Sequence, residues 1–226
     1  MLGKLYIVST PIGNLKDITF RSINILKDVD AIACEDTRIT NRLLNKYDIV
    51  KKLVVYNDYN ERNKTNTLID FLLEGKKIAL VSDAGTPCIS DPGYRLVNAA
   101  QKNNIEVLSI PGPSSVQAAL SISGLPTDNY FFQGFLPKKK GRETKFNELK
   151  NIKCSIVLFE SPKRVNKTLL HIEKYLGNRI ISICKEITKV HEKVFIGRVH
   201  DIINNIKEIT LKGEFVIVIA KERYEL

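Results

Sequence analysis

The sequence predicts an α/β protein of two domains. Residues 1–113 are expected to form a mostly parallel five-stranded sheet with flanking helices. Residues 114–226 are expected to form a smaller, mixed-sheet α/β domain. Three observations carry this expectation. In the first half, short apolar runs alternate with helical segments, and five such β–α units imply parallel strands covered on both faces. The strands there end in loops rich in Pro, Gly, Ser and Thr, as expected where a sheet edge meets a ligand. After Pro126 the pattern restarts with strands and helices of its own, without a low-complexity linker or internal repeat.

The first half is organised around Ser82 to Gly93, SDAGTPCISDPG. Ahead of it Lys76-Lys77-Ile78-Ala79-Leu80-Val81 reads as a buried parallel strand. Behind it Tyr94 to Asn103 reads as a helix, with Leu96, Val97, Ala99 and Ala100 as its apolar stripe. A turn needs only about four residues, and this loop is far longer. Its glycines permit close approach of backbone to a ligand, and its prolines hold shape. A small-molecule site is expected here.

The other elements follow in order. Leu5 to Val8 is a strand running into Ser9-Thr10-Pro11-Ile12-Gly13-Asn14-Leu15. Thr19 is placed to cap a helix from Phe20 to Lys27. Ala31 to Cys34 is a strand that ends in Glu35-Asp36-Thr37-Arg38, with helix from Thr40 to Lys46. Leu53 to Tyr56 is a strand, Asn57 to Asn63 a polar loop, and Thr65 to Leu73 a helix ending at Gly75. Glu106 to Ile110 is the fifth strand. Pro111-Gly112-Pro113-Ser114-Ser115 then opens a helix over Val116 to Ser123, and serines at a helix start leave N–H groups that suit a carboxylate or phosphate or serve as ordinary caps. In the second half, strands are expected at Tyr130–Pro137, Cys154–Phe159, Ile180–Cys184, Glu192–Val199 and Phe215–Ala220. Helices are expected from Arg142 to about Leu149, over Val165–Tyr175 and over Asp201–Ile209.

Composition bounds the function. With 226 residues and 43% apolar content the chain can bury a substantial core. The net charge of +10 points to a polyanionic partner. Residues 1–112 carry 15 basic and 13 acidic side chains, whereas residues 113–226 carry 20 and 12, so the excess sits in the second half. Cys34, Cys88, Cys154 and Cys184 form no C-x-x-C pair and read as free thiols in a reducing compartment. His171, His191 and His200 have no metal-ligand spacing, so no metal site is expected. No signal-peptide pattern or membrane-length apolar run is seen, which predicts a soluble, cytoplasmic protein without membrane contact. The absence of G-x-G-x-x-G argues against a Rossmann cofactor.

Seven segments occur in a characteristic order. They are Ser9 to Ile18, Glu35-Asp36-Thr37-Arg38, Ser82 to Pro87 with Ser90-Asp91-Pro92-Gly93, and Pro111-Gly112-Pro113-Ser114. They continue with Gly134-Phe135-Leu136-Pro137, Glu160-Ser161-Pro162-Lys163-Arg164 and Lys185-Glu186-Ile187-Thr188-Lys189. Together they resemble the ribosomal RNA small-subunit methyltransferase I family, within the tetrapyrrole-methylase-like class of S-adenosyl-L-methionine (SAM) methyltransferases. The resemblance spans essentially the whole chain. It implies a ligand cleft between the two domains that holds SAM, a homodimer, and methylation of a cytidine ribose 2′-oxygen in the decoding region of 16S rRNA. Carried over residue by residue, it implies Pro11, Asp83, Ala84, Gly85, Ile89, Ser114 and Ser115 as cofactor-binding positions.

Methyl transfer to a hydroxyl is an in-line displacement helped by positioning, by a base, or by a cation that stabilises the alkoxide. Charged residues at strand ends that could serve are Glu35, Asp36, Arg38, Glu160, Arg164, Lys185 and Glu186, all of them equally able to form structural ion pairs. Lys185 and Glu186 are the leading pair for the hydroxyl, with Glu160 a third catalytic candidate. RNA contact is expected from Lys138, Lys139, Lys140 and Arg142, the densest basic run, and from Arg38 and Arg164. With no RNP-type aromatic signature, the target is expected to be presented by an assembled small subunit. The competing readings are a methyltransferase of the same fold acting on a tetrapyrrole or protein side chain, and a ribosome-binding protein without catalysis.

Overall fold

The computed structural model describes residues 1–226, apart from the side chain of Glu208. The chain divides into two compact units, Met1–Ser114 and Ser115–Leu226.

The first unit is a parallel sheet of β1 (Lys4–Val8), β2 (Ala31–Cys34), β3 (Lys52–Val55), β4 (Lys77–Leu80) and β5 (Glu106–Ile110), in the order β3-β2-β4-β1-β5. Its helices are α1 (Phe20–Asp28), α2 (Thr37–Lys46), α3 (Glu61–Leu73) and α4 (Tyr94–Lys102). Alternation along each strand fills two cores. One face sends Tyr6, Val8, Ile32, Cys34, Ala79 and Val81 against Leu26 of α1 and Leu43 and Leu44 of α2. The other sends Leu5, Ala33, Ile78 and Leu80 against Leu68 and Leu72 of α3 and Leu96 and Ala100 of α4. The expected Thr19 cap is present, its hydroxyl accepting from the Ser22 amide at 3.0 Å. Two boundaries differ from expectation. Helix α2 begins at Thr37 because the Asp36 carboxylate accepts from the Arg38 amide at 2.8 Å. Helix α3 begins four residues earlier than Thr65, its first turn being wholly polar.

The second unit is a mixed sheet of β6 (Tyr130–Phe135), β7 (Ser155–Glu160), β8 (Ile180–Lys185), β9 (Lys193–Arg198) and β10 (Phe215–Ile219), ordered β6-β7-β10-β8-β9. Only β6 and β7 are parallel; β10 runs antiparallel to both its neighbours, as β9 does to β8. Its helices are α5 (Ser115–Ile122), α6 (Arg142–Leu149), α7 (Val165–Leu176) and α8 (Val199–Asn204), the last followed by a 3₁₀ turn over Ile206–Glu208. That break replaces the single helix expected over 201–209. One face of the sheet, with Ile156, Leu158, Ile181, Ile183, Phe215, Ile217 and Ile219, packs on Phe146 of α6, Leu169 and Ile172 of α7 and Val199 of α8. The opposite face meets α5, where the buried Cys184 thiol reaches the Ala119 carbonyl. Cys34 and Cys184 are buried, Cys88 and Cys154 half-buried, and all four are free.

Candidate functional site

In the first unit the strand order puts β4, β1 and β5 side by side, so the three turn-rich loops at their carboxyl ends form one surface. Strands β4 and β5 are not direct neighbours; β1 lies between them and its loop joins the other two. The Thr10 amide donates to the Gly85 carbonyl at 2.9 Å, and the Gly85 amide returns a bond to Thr10 at 3.1 Å. The Thr10 hydroxyl donates to the Ser82 carbonyl at 3.0 Å. The Ser9 and Thr86 hydroxyls meet at 2.9 Å, and Thr86 reaches the Pro113 carbonyl at 3.3 Å. Nearly every side chain in this lattice is buried, including Ser9, Thr10, Pro11 and Ser82.

Gly85 has φ +88°, where a Cβ carries a steric penalty, although the space beside it would admit one at 3.5 Å from Ile12. The backbone conformation, rather than crowding, therefore selects glycine. Beyond it Cys88 and Ser90 are both left-handed, with φ of 71° and 63°. Such residues are strained, and here they flank Ile89 and leave it 48% exposed. Ala84 is exposed too. Asp83 is half-buried; its Oδ1 accepts from the Asp36 amide at 3.1 Å, and Oδ2 has no hydrogen-bond partner among the described residues. Ser115 opens α5, with Ser114 immediately before it.

This edge also gathers carboxylates. Glu35, at the end of β2, accepts from the Asp83 amide at 3.3 Å. Burial, then the charge of Asp91, push its carboxyl up to about 7. Burial also raises Asp91, to about 6, and moves Asp83 in the same direction. Asp36 goes the other way, to about 2, because Arg38 binds it at 2.5 Å. Arg38 is exposed, as an RNA contact requires, but is ion-paired.

In the second unit several expected roles change. Arg142 is 2% exposed, so it does not belong to an RNA-facing run. Its guanidinium donates to the Pro137 carbonyl at 3.1 Å and to the Thr168 hydroxyl at 2.5 Å, 3.6 Å from Glu160. Arg164 binds the other oxygen of Glu160 at 2.7 Å and donates to the Leu136 carbonyl at 3.0 Å. Glu160 is buried, with both oxygens taken by these arginines, by Thr168 and by the Ser161 amide. It is a structural tie between the ends of β6 and β7 and helices α6 and α7, and it has no free lone pair facing solvent with which to act as a base. Lys138, Lys139 and Lys140 are exposed.

Glu186 is likewise committed. Its Oε1 accepts from the Lys189 ammonium and the Glu214 amide, each at 2.9 Å. Burial opposes its ionisation, but those two bonds, with the charges of Lys189 and Lys185, hold the carboxyl below the ordinary value. A carboxylate so stabilised is a weaker proton acceptor than one whose carboxyl is raised. Gly213 makes room for it: at φ +89° a Cβ there would lie 2.3 Å from the Glu186 carboxyl carbon. Lys185 alone of the expected catalytic residues is buried without a hydrogen-bond or ion-pair partner among the described residues. No group of three metal-ligating side chains is found among the described residues, and no described helix is long and apolar enough to cross a membrane.

Residues 4–203 match the family of Tetrapyrrole (Corrin/Porphyrin) Methylases. The chain belongs to this family. Among its members the chain is similar to the ribosomal RNA small subunit methyltransferase I of Halalkalibacterium halodurans, 49% identical over 96% of this chain and 75% of that one. The protein of the same name from Thermotoga maritima is 45% identical over 97% of this chain and 99% of its own. Solved structures of the same fold include a diphthine synthase, TM-score 0.78 at 15% identity over 99% and 92% of the two chains. A cobalt precorrin-4 methyltransferase follows, with TM-score 0.71 at 19% identity over 96% and 94%. The tetrapyrrole methylase fold is thus what the two sheets build.

Proposed function

We propose that this protein transfers the methyl group of SAM to the ribose 2′-oxygen of a cytidine in the decoding region of 16S rRNA, acting on the small ribosomal subunit. The observation that carries the reading is the linked surface of the β1, β4 and β5 loops, in a chain so similar to proteins named for ribosomal RNA methylation. SAM, when bound, supplies an electrophilic methyl group on a sulfonium. The residues present fit it. Asp83 offers a carboxylate oxygen to a ribose hydroxyl, Ala84 and Ile89 offer exposed apolar contact, and the Thr10–Gly85 bridge holds open backbone beside Pro11. Ser115 opens α5 directly after Ser114, and the first-turn N–H groups of that helix suit a carboxylate.

The hydroxyl must lose a proton as the bond forms. Glu35 is the chain's best acceptor, because a carboxyl titrating near 7 is half-ionised at working pH and matched to that task. It is preferred to Glu160, whose two oxygens are both taken, and to Glu186, whose carboxyl is held below its ordinary value. The exposed Lys138, Lys139 and Lys140 are proposed to contact RNA phosphates, with Arg38 at the first unit. A homodimer in the cytoplasm is part of the same proposal.

The test is methyl incorporation from labelled SAM into isolated small subunits, naked 16S rRNA, a tetrapyrrole and a protein acceptor, followed by nuclease digestion and mass analysis. A 2′-O-methylcytidine obtained from subunits is expected. A methylated base, or equal labelling of a tetrapyrrole, refutes the assignment.

A further inference from the structure

The second unit contains a cavity of about 340 Å³ at the carboxyl end of β8, lined by Lys185, Lys193, Lys212 and His191 together with Glu186, Phe195, Thr210 and Gly213. We propose that this cavity binds a phosphodiester of the substrate RNA backbone, an inference that rests on RNA being the substrate.

The argument is one of uncompensated charge. Lys185 is 7% exposed, yet its ammonium has no hydrogen-bond or ion-pair partner among the described residues. Its stem is buried in the sheet, so the ammonium is held at the cavity and an anion there would be its natural partner. Directly opposite, in the antiparallel β8–β9 ladder, stands Lys193. Like charges at facing positions of a ladder repel, so a negative group set against this pair would relieve it. Lys212 approaches from the segment before β10 and also lacks a partner among the described residues. The single acid in the wall, Glu186, is already held by Lys189 and the Glu214 amide. Gly213, by lacking a side chain, keeps Glu186 folded back in that arrangement. Three ammonium groups thus share one cavity with a single carboxylate, Glu186, which is already bound by Lys189 and the Glu214 amide.

A phosphodiester answers that arrangement better than a small free anion. The cavity is far larger than one phosphate group, and its rim is formed by exposed His191, Lys193 and Lys212, so a chain can enter and leave it. Phe195, two residues along the same face of β9, and the Thr210 segment give the sugar next to the phosphate an apolar wall and a polar one. Lys185, at the cavity's buried end, is then a phosphate-binding residue rather than a partner of the reacting hydroxyl.

The experiment measures binding of a fluorescein-labelled single-stranded RNA oligomer to the full chain across a salt series, with inorganic phosphate as a second probe. The variants are Lys185→Met and the double substitution Lys193→Gln with Lys212→Gln. The double variant should bind RNA about 10-fold more weakly at physiological salt, with the slope of log K against log salt reduced by roughly 1–2, and should bind SAM with wild-type affinity by calorimetry. Lys185→Met should lose RNA affinity to a similar degree while keeping a cooperative melting transition, which shows that the fold is intact. Inorganic phosphate should compete with RNA in the wild type only. If both variants keep wild-type RNA affinity and salt slope, the inference is overturned. If phosphate binding is lost in the variants but RNA binding is not, the cavity is a small-anion site and the inference is again overturned. Wild-type enzyme that methylates subunits beside variants with unchanged RNA binding refutes this inference alone. Variants that lose RNA affinity in a protein that methylates no subunit leave the cavity assignment standing and refute the function proposed above.

Discussion

Replacing Glu35 by glutamine isolates the electrostatic character of the β2–β4 edge. Glutamine keeps an oxygen for the Asp83 amide, which donates to Glu35 at 3.3 Å, and removes the titrating group. In the wild type the carboxyl is raised from 4.5 to about 7, chiefly by burial and then by Asp91. The folded protein therefore holds a proton that the unfolded chain releases. Stability then falls as pH rises from 4.5 to about 7 and stays reduced above that range. The full interval corresponds to roughly 3 kcal/mol at 1.36 kcal/mol per pH unit. Glu35 is only half-enclosed, so solvent screening lowers the expected effect to on the order of 1–2 kcal/mol. For a chain of this length that is a rise in Tm of about 2–8 °C in Glu35→Gln at about pH 8. The gain should shrink to a small fraction by about pH 5, where the wild-type group is neutral in the folded state. Differential scanning calorimetry of both proteins at the two pH values reads this directly. Equal melting temperatures at the higher pH, or a gain that is the same at the lower, would falsify the account of the carboxylate cluster. The same variant tests the proposed base, because turnover should drop about 10²-fold or more while SAM affinity changes little.

Three further outcomes are expected. Asp83→Asn should weaken SAM binding about 10-fold by calorimetry without any loss of Tm; unaltered affinity would move the ribose partner elsewhere. Arg142→Ala should cost about 1–3 kcal/mol in urea unfolding because the buried Pro137 carbonyl loses its donor and Glu160 keeps only one of its two arginines, whereas Arg142→Ala with Glu160→Gln should cost less than the two single losses together; strictly additive losses would mean the pair is not coupled. Changing Lys138, Lys139 and Lys140 to alanine should lower the salt slope of RNA binding by roughly 1 for each phosphate that is no longer neutralised, and an unchanged slope would assign those side chains to solvent.

Much of the fold was legible because periodicity reports burial directly. Ala31–Cys34 has the strand limits read from its apolar run, and Thr19 caps the helix its position suggests. Helix α3 was underextended because Glu61 to Lys64 carry no apolar residue, so nothing in that turn distinguishes helix from loop. The site was less legible, for two reasons. Burial of a charged side chain depends on partners remote in sequence: Arg142 looks like the end of a lysine run, and only Thr168 and Glu160 show that it turns inward. The carboxylate cluster joins Glu35, after β2, to Asp83 and Asp91 of the loop after β4, and only the β2–β4 pairing brings those two segments together. Glu186 is different, since Lys189 three residues on was a visible signal of an ion pair.

The placement of β1 in the middle of its sheet has a consequence for synthesis. Lys4 pairs with Lys77 on one side and with Glu106 on the other, so the first strand of this sheet to be made is the last to find its neighbours. At about 5–20 residues per second, the ribosome needs on the order of 5–20 s to deliver the partners of β1 after β1 itself has emerged. During that interval Leu5, Tyr6 and Val8, all buried in the finished sheet, have no strand to cover them. The β8–β9 hairpin has no such wait, because its partners follow one another within a short turn. Of the strands in the first unit, β1 therefore stays uncovered longest on the nascent chain, and chaperones that meet emerging chains have most to shield there.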